Sequence, residues 1–387
     1  MNLQKLHLPD TGNAIALFAI AALIGGLGWS GNPSLHFLAL LYPFVYIHTR
    51  RRLDTISAVF YYAASTWPVI PGAQSFFGTG HQLGKPIAIW IAITALGSLP
   101  WLLFYHRRFL PLSAIGSLAI LALPLSLVTV AHPLIAAGIW FPGTRWFGLA
   151  LPLVLIAVHR RLGTPLVFAV LILASLAVHA RFVRPAADPH IVTVNTNFGN
   201  ESGTSEQQAE RTIQQISLAH SNALVIFPES VIPNWSSAHD ARWASTFMQL
   251  GQQRTGILIG TTIPIPNTDA SRNVLLSRGY TEHLSYVQRV PIPLGMWQLG
   301  ESRRGFPLSL RFPAAIRVWN RRAGVLLCYE QLVFWPAVET LARNPEILIA
   351  PSNLYWARNT SIPAIQHLAA QDWADLWAIP LYEARNQ

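Results

Sequence analysis

The apolar residues of this chain are segregated. Seven long uncharged runs, roughly 13–30, 35–49, 55–72, 86–105, 110–131, 146–158 and 165–181, fill its first half, and charge density rises after about residue 181. Several approach the ~20 residues that cross the hydrocarbon core of a bilayer. The whole-chain balance agrees, with 52% hydrophobic and 11% charged residues, well below the ~25% charge of ordinary soluble domains. The pattern predicts a membrane domain over 1–184 with about seven transmembrane helices, and a second domain over 185–387. The stretch 110–145 stays open, because Pro124 and Pro133 interrupt it and the part after His132 either re-enters or lies in the interface. The sixth run is short.

The connecting loops carry a second pattern. Arg50, Arg51 and Arg52 follow the second run, Arg107 and Arg108 the fourth, and Arg160 and Arg161 the sixth. Loops between them hold little charge: none at 31–34, Lys85 at the margin of 73–85, and Arg145 before the sixth run. Cytoplasmic loops are the ones enriched in Lys and Arg. Seven crossings from an N-terminus inside the cell then put the second domain outside the cytoplasm. The first run follows Lys5 as a signal peptide would, but further spans follow and no small-residue cleavage site is evident. Net charge is +10, from 25 Arg and two Lys against 17 acids. Loop charge that sets topology accounts for the excess, and no basic patch with interleaved aromatics points to direct nucleic-acid binding.

The second half alternates strand and helix patterns. Strands are predicted at 191–198, 223–228, 256–260, 272–279, 284–290, 315–319 and 347–350, with another running up to Cys328. Helices are predicted at 205–220, 239–251, 336–343 and from Pro363 to about Trp377, the first opened by a Ser205–Gln208 capping box. Such alternation with a strand-rich middle argues for a layered α/β domain. Two strand ends carry candidate chemistry. Ala323–Leu327 is apolar and delivers Cys328, Tyr329 and Glu330; Ala223–Phe227 is apolar and delivers Pro228 and Glu229. Cys328 is the chain's one cysteine, which excludes an internal disulfide framework. A lone cysteine on an apolar strand is more often a small core residue than a nucleophile. A carboxylate at a neighbouring strand end favours the nucleophile, because it supplies a base for the thiol.

Together these stretches resemble the nitrilase (carbon–nitrogen hydrolase) superfamily and, within it, the apolipoprotein N-acyltransferase branch. The matching residues are Phe227-Pro228-Glu229-Ser230 with Ile232-Pro233, Cys328-Tyr329-Glu330, Ser352-Asn353 with Trp356, and Gln366-His367-Leu368. At this length the layout also resembles an acyltransferase-like relative carried on conjugative plasmids. The resemblance implies a multi-pass α-helical membrane domain followed by an α/β nitrilase-like (αββα) sandwich. It implies Glu229 as general base, Cys328 as nucleophile, Glu330 as a supporting carboxylate, and Tyr329, Asn353 and Trp356 around the substrate. No metal or other cofactor is implied. The implied partners are a phospholipid or lipoprotein-like acyl substrate, the inner membrane, and conjugation machinery.

One expected residue is missing. The family pattern is Tyr-x-Lys followed by Pro, an apolar residue, Gly and Glu. The matching stretch runs from Tyr286 to Met296, with Gln288 at the lysine place and Met296 at the glutamate place. Both lysines lie before residue 181, so no shift of register supplies an ammonium. Gln288 is then expected as a neutral oxyanion donor, with Arg289 as an alternative cation reaching in. The chain also ends where the family continues, so its final strands and last membrane helix are expected to be absent. The reading is an enzyme with reduced or altered Cys-thioester chemistry, or a scaffold that keeps the fold without it.

Overall fold

The structure is a computed structural model, described over residues 10–123, 125–198, 205–281, 285–297 and 304–387. Lys5, Pro124 and the first residue of the strand expected at 284–290 lie outside the described residues. The chain divides into two units, residues 1–182 with 360–372, and residues 183–359 with 373–387.

The first unit is helical. Its helices are α1 (Asp10–Gly28), α2 (Tyr42–Tyr46), α3 (Ser57–Thr66), α4 (Val69–Phe77), α5 (Gly84–Leu103), α6 (Leu110–Ala122), α7 (Ala137–Trp140), α8 (Trp146–Leu162) and α9 (Thr164–His179). Among the described residues, α5 is the one helix long and apolar enough to cross a membrane by length and composition. The apolar runs are therefore not seven unbroken helices. The run 55–72 breaks between α3 and α4 at Trp67 and Pro68, where the proline has no N–H to continue the helix ladder. The run 35–49 folds as a 3₁₀ segment, His36–Leu41, followed by the single turn α2. The arginine-bearing loops nevertheless meet. Arg160 at the end of α8 donates to the carbonyls of Arg107 and Arg108. Thr164 Oγ1 lies 2.9 Å from His48 Nε2 and 3.0 Å from His159 Nε2.

The second unit is built on two sheets. The first has strand order β1 (Ile191–Thr193), β2 (Leu224–Ile226), β3 (Gly256–Pro264), β4 (Asp269–Gly279) and β5 (Tyr286–Val287), with β6 (Arg304–Gly305) on β4. The second has order β10 (Leu381–Asn386), β9 (Ile347–Asn353), β8 (Arg321–Val325) and β7 (Ala315–Val318). Strands β1, β2 and β3 are parallel, as are β8, β9 and β10; β4, β5 and β7 join antiparallel.

Side-chain alternation explains the layers, since successive residues of a strand face opposite ways. Leu224, Ile226, Leu258 and Leu275 of the first sheet share one core with Val325, Ile347, Ile349 and Tyr382 of the second. The alternate residues Val225, Phe227, Ile257 and Ile259 pack instead with Ile213 of α10 (Glu206–Leu218) and Trp243 of α11 (Ser237–Gln252). Helix α12 (Phe334–Ala342) packs on β8 of the second sheet, where a Cβ at Gly324 would lie 2.7 Å from Thr340 Cγ2. The last helix, α13 (Ile362–Trp377), is divided between the two units at Asp372. Sheets faced on each other with helices outside form the αββα sandwich expected from the sequence. Ser205 caps α10, its side chain accepting from the Gln208 N–H at 3.2 Å, which is one half of the capping box expected. The closing stretch 381–386 is a full strand that pairs in parallel with β9.

Candidate active site

Two backbone irregularities build the site. After β2 the chain turns through Pro228, Glu229 and Ser230, and Ser230 takes φ of 52°. The turn is pinned to β3 by Gly260 N–H to the Pro228 carbonyl at 3.1 Å and Val231 N–H to the Gly260 carbonyl at 3.0 Å. Gly260 is obligatory for this approach: a Cβ there would lie 2.1 Å from the Pro228 oxygen and 2.4 Å from Glu229 Cα. After β8, Cys328 opens a 3₁₀ turn (Cys328–Gln331) with φ of 50°. A non-glycine residue in the left-handed region is strained, and such strain collects at functional sites.

Each irregularity aims a side chain into one buried space. Glu229 is hydrogen-bonded with the Cys328 thiol. Its Oε1 accepts from Asn273 Nδ2 at 2.5 Å and its Oε2 from the Asn353 N–H at 2.9 Å. Burial pushes the Glu229 carboxyl above its ordinary range, while the bonds from Cys328, Asn273 and Asn353 oppose the rise. Burial, then the Glu229 charge, pushes the thiol well up. The Glu229 side chain beside the sulfur is placed to accept its proton. The N–H groups of Asn353 and Tyr329 also face the sulfur and favour the thiolate once it forms.

Gln288, at the lysine place, is fully inside and adjoins this pair through Asn273. Its Oε1 accepts from Asn273 Nδ2 at 3.0 Å, and its Nε2 donates to the Leu327 carbonyl at 3.0 Å. Arg289 does not reach in, contrary to the alternative drawn from sequence. Its guanidinium donates to Glu339 Oε2 (2.7 Å), Thr340 Oγ1 (2.7 Å), the Pro336 carbonyl (3.1 Å) and Tyr286 Oη (2.9 Å). Gln288 and Arg289 lie just beyond β5, and α12 supplies the partners that hold the Arg289 guanidinium.

Glu330 is buried but does not touch the thiol. Its carboxylate accepts from the N–H groups of Leu327 (2.8 Å), Arg289 (2.7 Å) and Val290 (3.1 Å) and from Tyr286 Oη (2.7 Å). It ties the β5 segment to the cysteine turn. The residues expected around a substrate take other partners. Asn353 turns its side-chain oxygen to Asn386 Nδ2 at 2.9 Å, joining β9 to β10, and meets Glu229 through its backbone. Trp356 is half-buried and donates Nε1 to the Asn353 carbonyl at 2.9 Å. Tyr329 faces the sulfur through its N–H. Met296 holds its own loop, its carbonyl accepting from Phe306 N–H at 2.8 Å.

The residue the sequence reading passed over is Asn273. It sits in β4 just before Val274, Leu275 and Leu276, and it is 2% exposed. A carboxamide within an apolar strand is the signal that could have found it, since buried polar groups are hydrogen-bonded to something. Among the described residues, Glu206, Glu210 and His239 gather ligand atoms within 4.8 Å. Glu210 there accepts from Arg242 Nη2 at 2.7 Å and Trp243 Nε1 at 3.0 Å, so the group is a hydrogen-bonded ion-pair network joining α10 to α11.

No family model matches the chain. Among solved structures, a mutant of the Nesterenkonia AN1 amidase from the nitrilase superfamily aligns at 12% identity and a TM-score of 0.29, covering 45% of this chain and 68% of that one. A CN-hydrolase superfamily protein of Xanthomonas campestris aligns at 12% identity and a TM-score of 0.27, covering 42% and 64%. Among curated proteins, the conjugal transfer protein TraB of Agrobacterium fabrum is 26% identical over 97% of this chain and 94% of its own length. A probable conjugal transfer protein TraB of Sinorhizobium fredii is 28% identical over 96% and 97%. Along nearly its whole length, then, this chain is similar to proteins named for TraB of conjugal transfer, and its second unit has the two-sheet sandwich that the nitrilase resemblance implies.

Proposed function

We propose that this is a multi-pass inner-membrane protein of conjugal plasmid transfer whose periplasmic nitrilase-like domain retains Cys-thioester acyl chemistry. The observation that carries the enzymatic part is the Glu229 carboxylate bonded to the Cys328 thiol at a strained turn. In the first half-reaction Glu229 takes the thiol proton and Sγ attacks an ester carbonyl of a phospholipid. The tetrahedral adduct collapses, the C–O bond breaks, and the leaving alkoxide takes the proton from Glu229. In the second, an amine attacks the thioester, Glu229 takes its proton, and the expelled thiolate recovers it. With water in place of the amine, the acyl group is hydrolysed. The test is to incubate the full chain with labelled phospholipid and look for an acyl adduct by mass spectrometry. The adduct should map to Cys328 and vanish in Cys328→Ser, whose hydroxyl is far harder to ionise.

The membrane placement rests on the alternating arginine loops and on their meeting within one unit. Reporter fusions at Arg52 and Gln387 should report opposite sides of the membrane, and matching signals would sink the topology.

A second reading is favoured by Gln288 and Met296, which place no charge at the lysine and glutamate positions of the resemblance. On that reading the protein is a scaffold of a conjugation or envelope assembly. Wild-type plasmid transfer with Cys328→Ser and Glu229→Gln, together with no adduct on the native chain, would select it.

A further inference from the structure

Asn273 is the hub of the reactive pair. One atom, Nδ2, donates to Glu229 Oε1 at 2.5 Å and to Gln288 Oε1 at 3.0 Å. The backbone carbonyl of Asn273 accepts from the Gln288 N–H at 2.8 Å, and Ser230 Oγ lies 3.5 Å from its Oδ1. Gln288 is therefore held at three points: its N–H, its Oε1 and its Nε2, the last bonded to the Leu327 carbonyl.

These contacts decide what each group can do. Both oxygens of Glu229 face N–H donors, from Asn273 and from the Asn353 backbone. A protonated carboxyl must place an O–H on an acceptor, and of its named partners only the sulfur accepts. The donors thus favour an anion turned to the thiol, against burial, which favours the neutral acid. In Gln288 the acceptor end is spent on Asn273 and one donor on Leu327.

We infer that Asn273 is a positioning residue that does, as a neutral donor, what the missing ammonium would have done: it holds Glu229 as a carboxylate aimed at Cys328. Gln288 braces Asn273 and the Leu327 carbonyl next to the nucleophile. This rests on the enzymatic reading of the site.

The probe is iodoacetamide, a neutral alkylating agent that requires no substrate to be known. A carbon–sulfur bond forms, iodide leaves, and the thiol proton passes to Glu229. The chain has one cysteine, so the mass of the adduct reads Cys328 alone. Alkylation of the full chain in detergent is followed against pH. The native rate should fall on the acid side, and Glu229→Gln should remove that limb. Asn273→Leu should slow alkylation about tenfold to a hundredfold at neutral pH, as expected for losing a hydrogen bond to a charged group. Its acid limb should also move to higher pH. Adding Gln288→Lys to Asn273→Leu should restore both, because an ammonium can take over the donor's task. An unchanged limb in a folded Asn273→Leu overturns the inference and leaves the enzymatic reading standing. An unchanged limb in Glu229→Gln overturns both. If Asn273→Leu does not fold, Asn273→Asp serves: the isosteric carboxyl should raise the limb by placing a second acid beside Glu229, and an unchanged limb there overturns the inference too.

Discussion

Glu229 and Glu330 are both buried carboxylates just beyond strands that face the same site, yet among the described residues only Glu330 has a cation beside it. Arg289 lies beside it, with Tyr286, Glu339 and Thr340 completing a closed network. Glu229 meets a thiol, a carboxamide and a backbone N–H. Burial raises both carboxyls; at Glu330 the leading opposition is the charge of Arg289, whereas at Glu229 it is hydrogen bonds. The region that holds the backbone together is charge-compensated. Among the described residues, the region that carries the reactive groups is held by hydrogen bonds instead. Gln288 therefore adds no charge to the pair, while the frame around it is held separately.

The largest effect should come from breaking the compensated side. Arg289→Met leaves the buried Glu330, and the partly exposed Glu339, without the Arg289 cation. Removing one partner of a buried pair typically costs about 3–5 kcal/mol. Thermal unfolding in detergent should show a large fall for Arg289→Met, whereas Gln288→Met, which removes no charge, should lose much less. Equal losses would mean that the two sides are held alike.

How much of this was legible in the sequence follows from the same contrast. Glu229 and Cys328 were visible because each ends an uncharged run, where a charged or nucleophilic group stands out. Glu330 was visible beside Cys328, but its work was not, since its donors at Leu327, Arg289 and Val290 are backbone groups. Arg289 was misjudged because its direction is set by Glu339 and Thr340, about fifty residues later and on α12. Asn273 was passed over because asparagine in a strand reads as poor propensity rather than as a functional group. In the first unit, Pro68 and the 3₁₀ turn at 36–41 cut runs whose hydropathy alone looked continuous. Hydropathy counts apolar residues and is blind to backbone breaks.

An intermediate effect should separate geometry from stability. Gly260→Ala drives a Cβ into the backbone of the turn that carries Glu229, and Gly324→Ala drives one toward Thr340 Cγ2 and Pro345 Cγ, at 2.7 and 3.1 Å. Both are overpacking changes, for which about 1–3 kcal/mol is usual. Only the first displaces the base. Gly260→Ala should therefore slow Cys328 alkylation as strongly as Glu229→Gln does. Gly324→Ala should lower the unfolding temperature and leave the alkylation rate per folded molecule unchanged. A loss of thiol reactivity in Gly324→Ala would show that the second sheet, too, sets the base–thiol geometry.

The smallest effect is on stability against pH. A carboxyl raised in the folded state binds its proton more tightly there than in the unfolded chain, where a glutamate titrates near about 4.3. Its contribution is complete below that unfolded value and is lost as pH rises through the folded one. Burial raises Glu229 in this sense, opposed among the described residues by hydrogen bonds from Cys328, Asn273 and Asn353. Stability should thus decline as pH climbs above the ordinary carboxylate range, and Glu229→Gln should flatten the decline by removing a group that must ionise inside the protein. Gln288→Lys should flatten it as well, by lowering the Glu229 pKa toward its unfolded value. Unfolding temperatures of the three proteins across pH, in one detergent and at one ionic strength, make the comparison. Parallel curves would mean that Asn273 and the Asn353 N–H already hold the anion at no cost to folding, and the two carboxylates would then differ only in their chemistry.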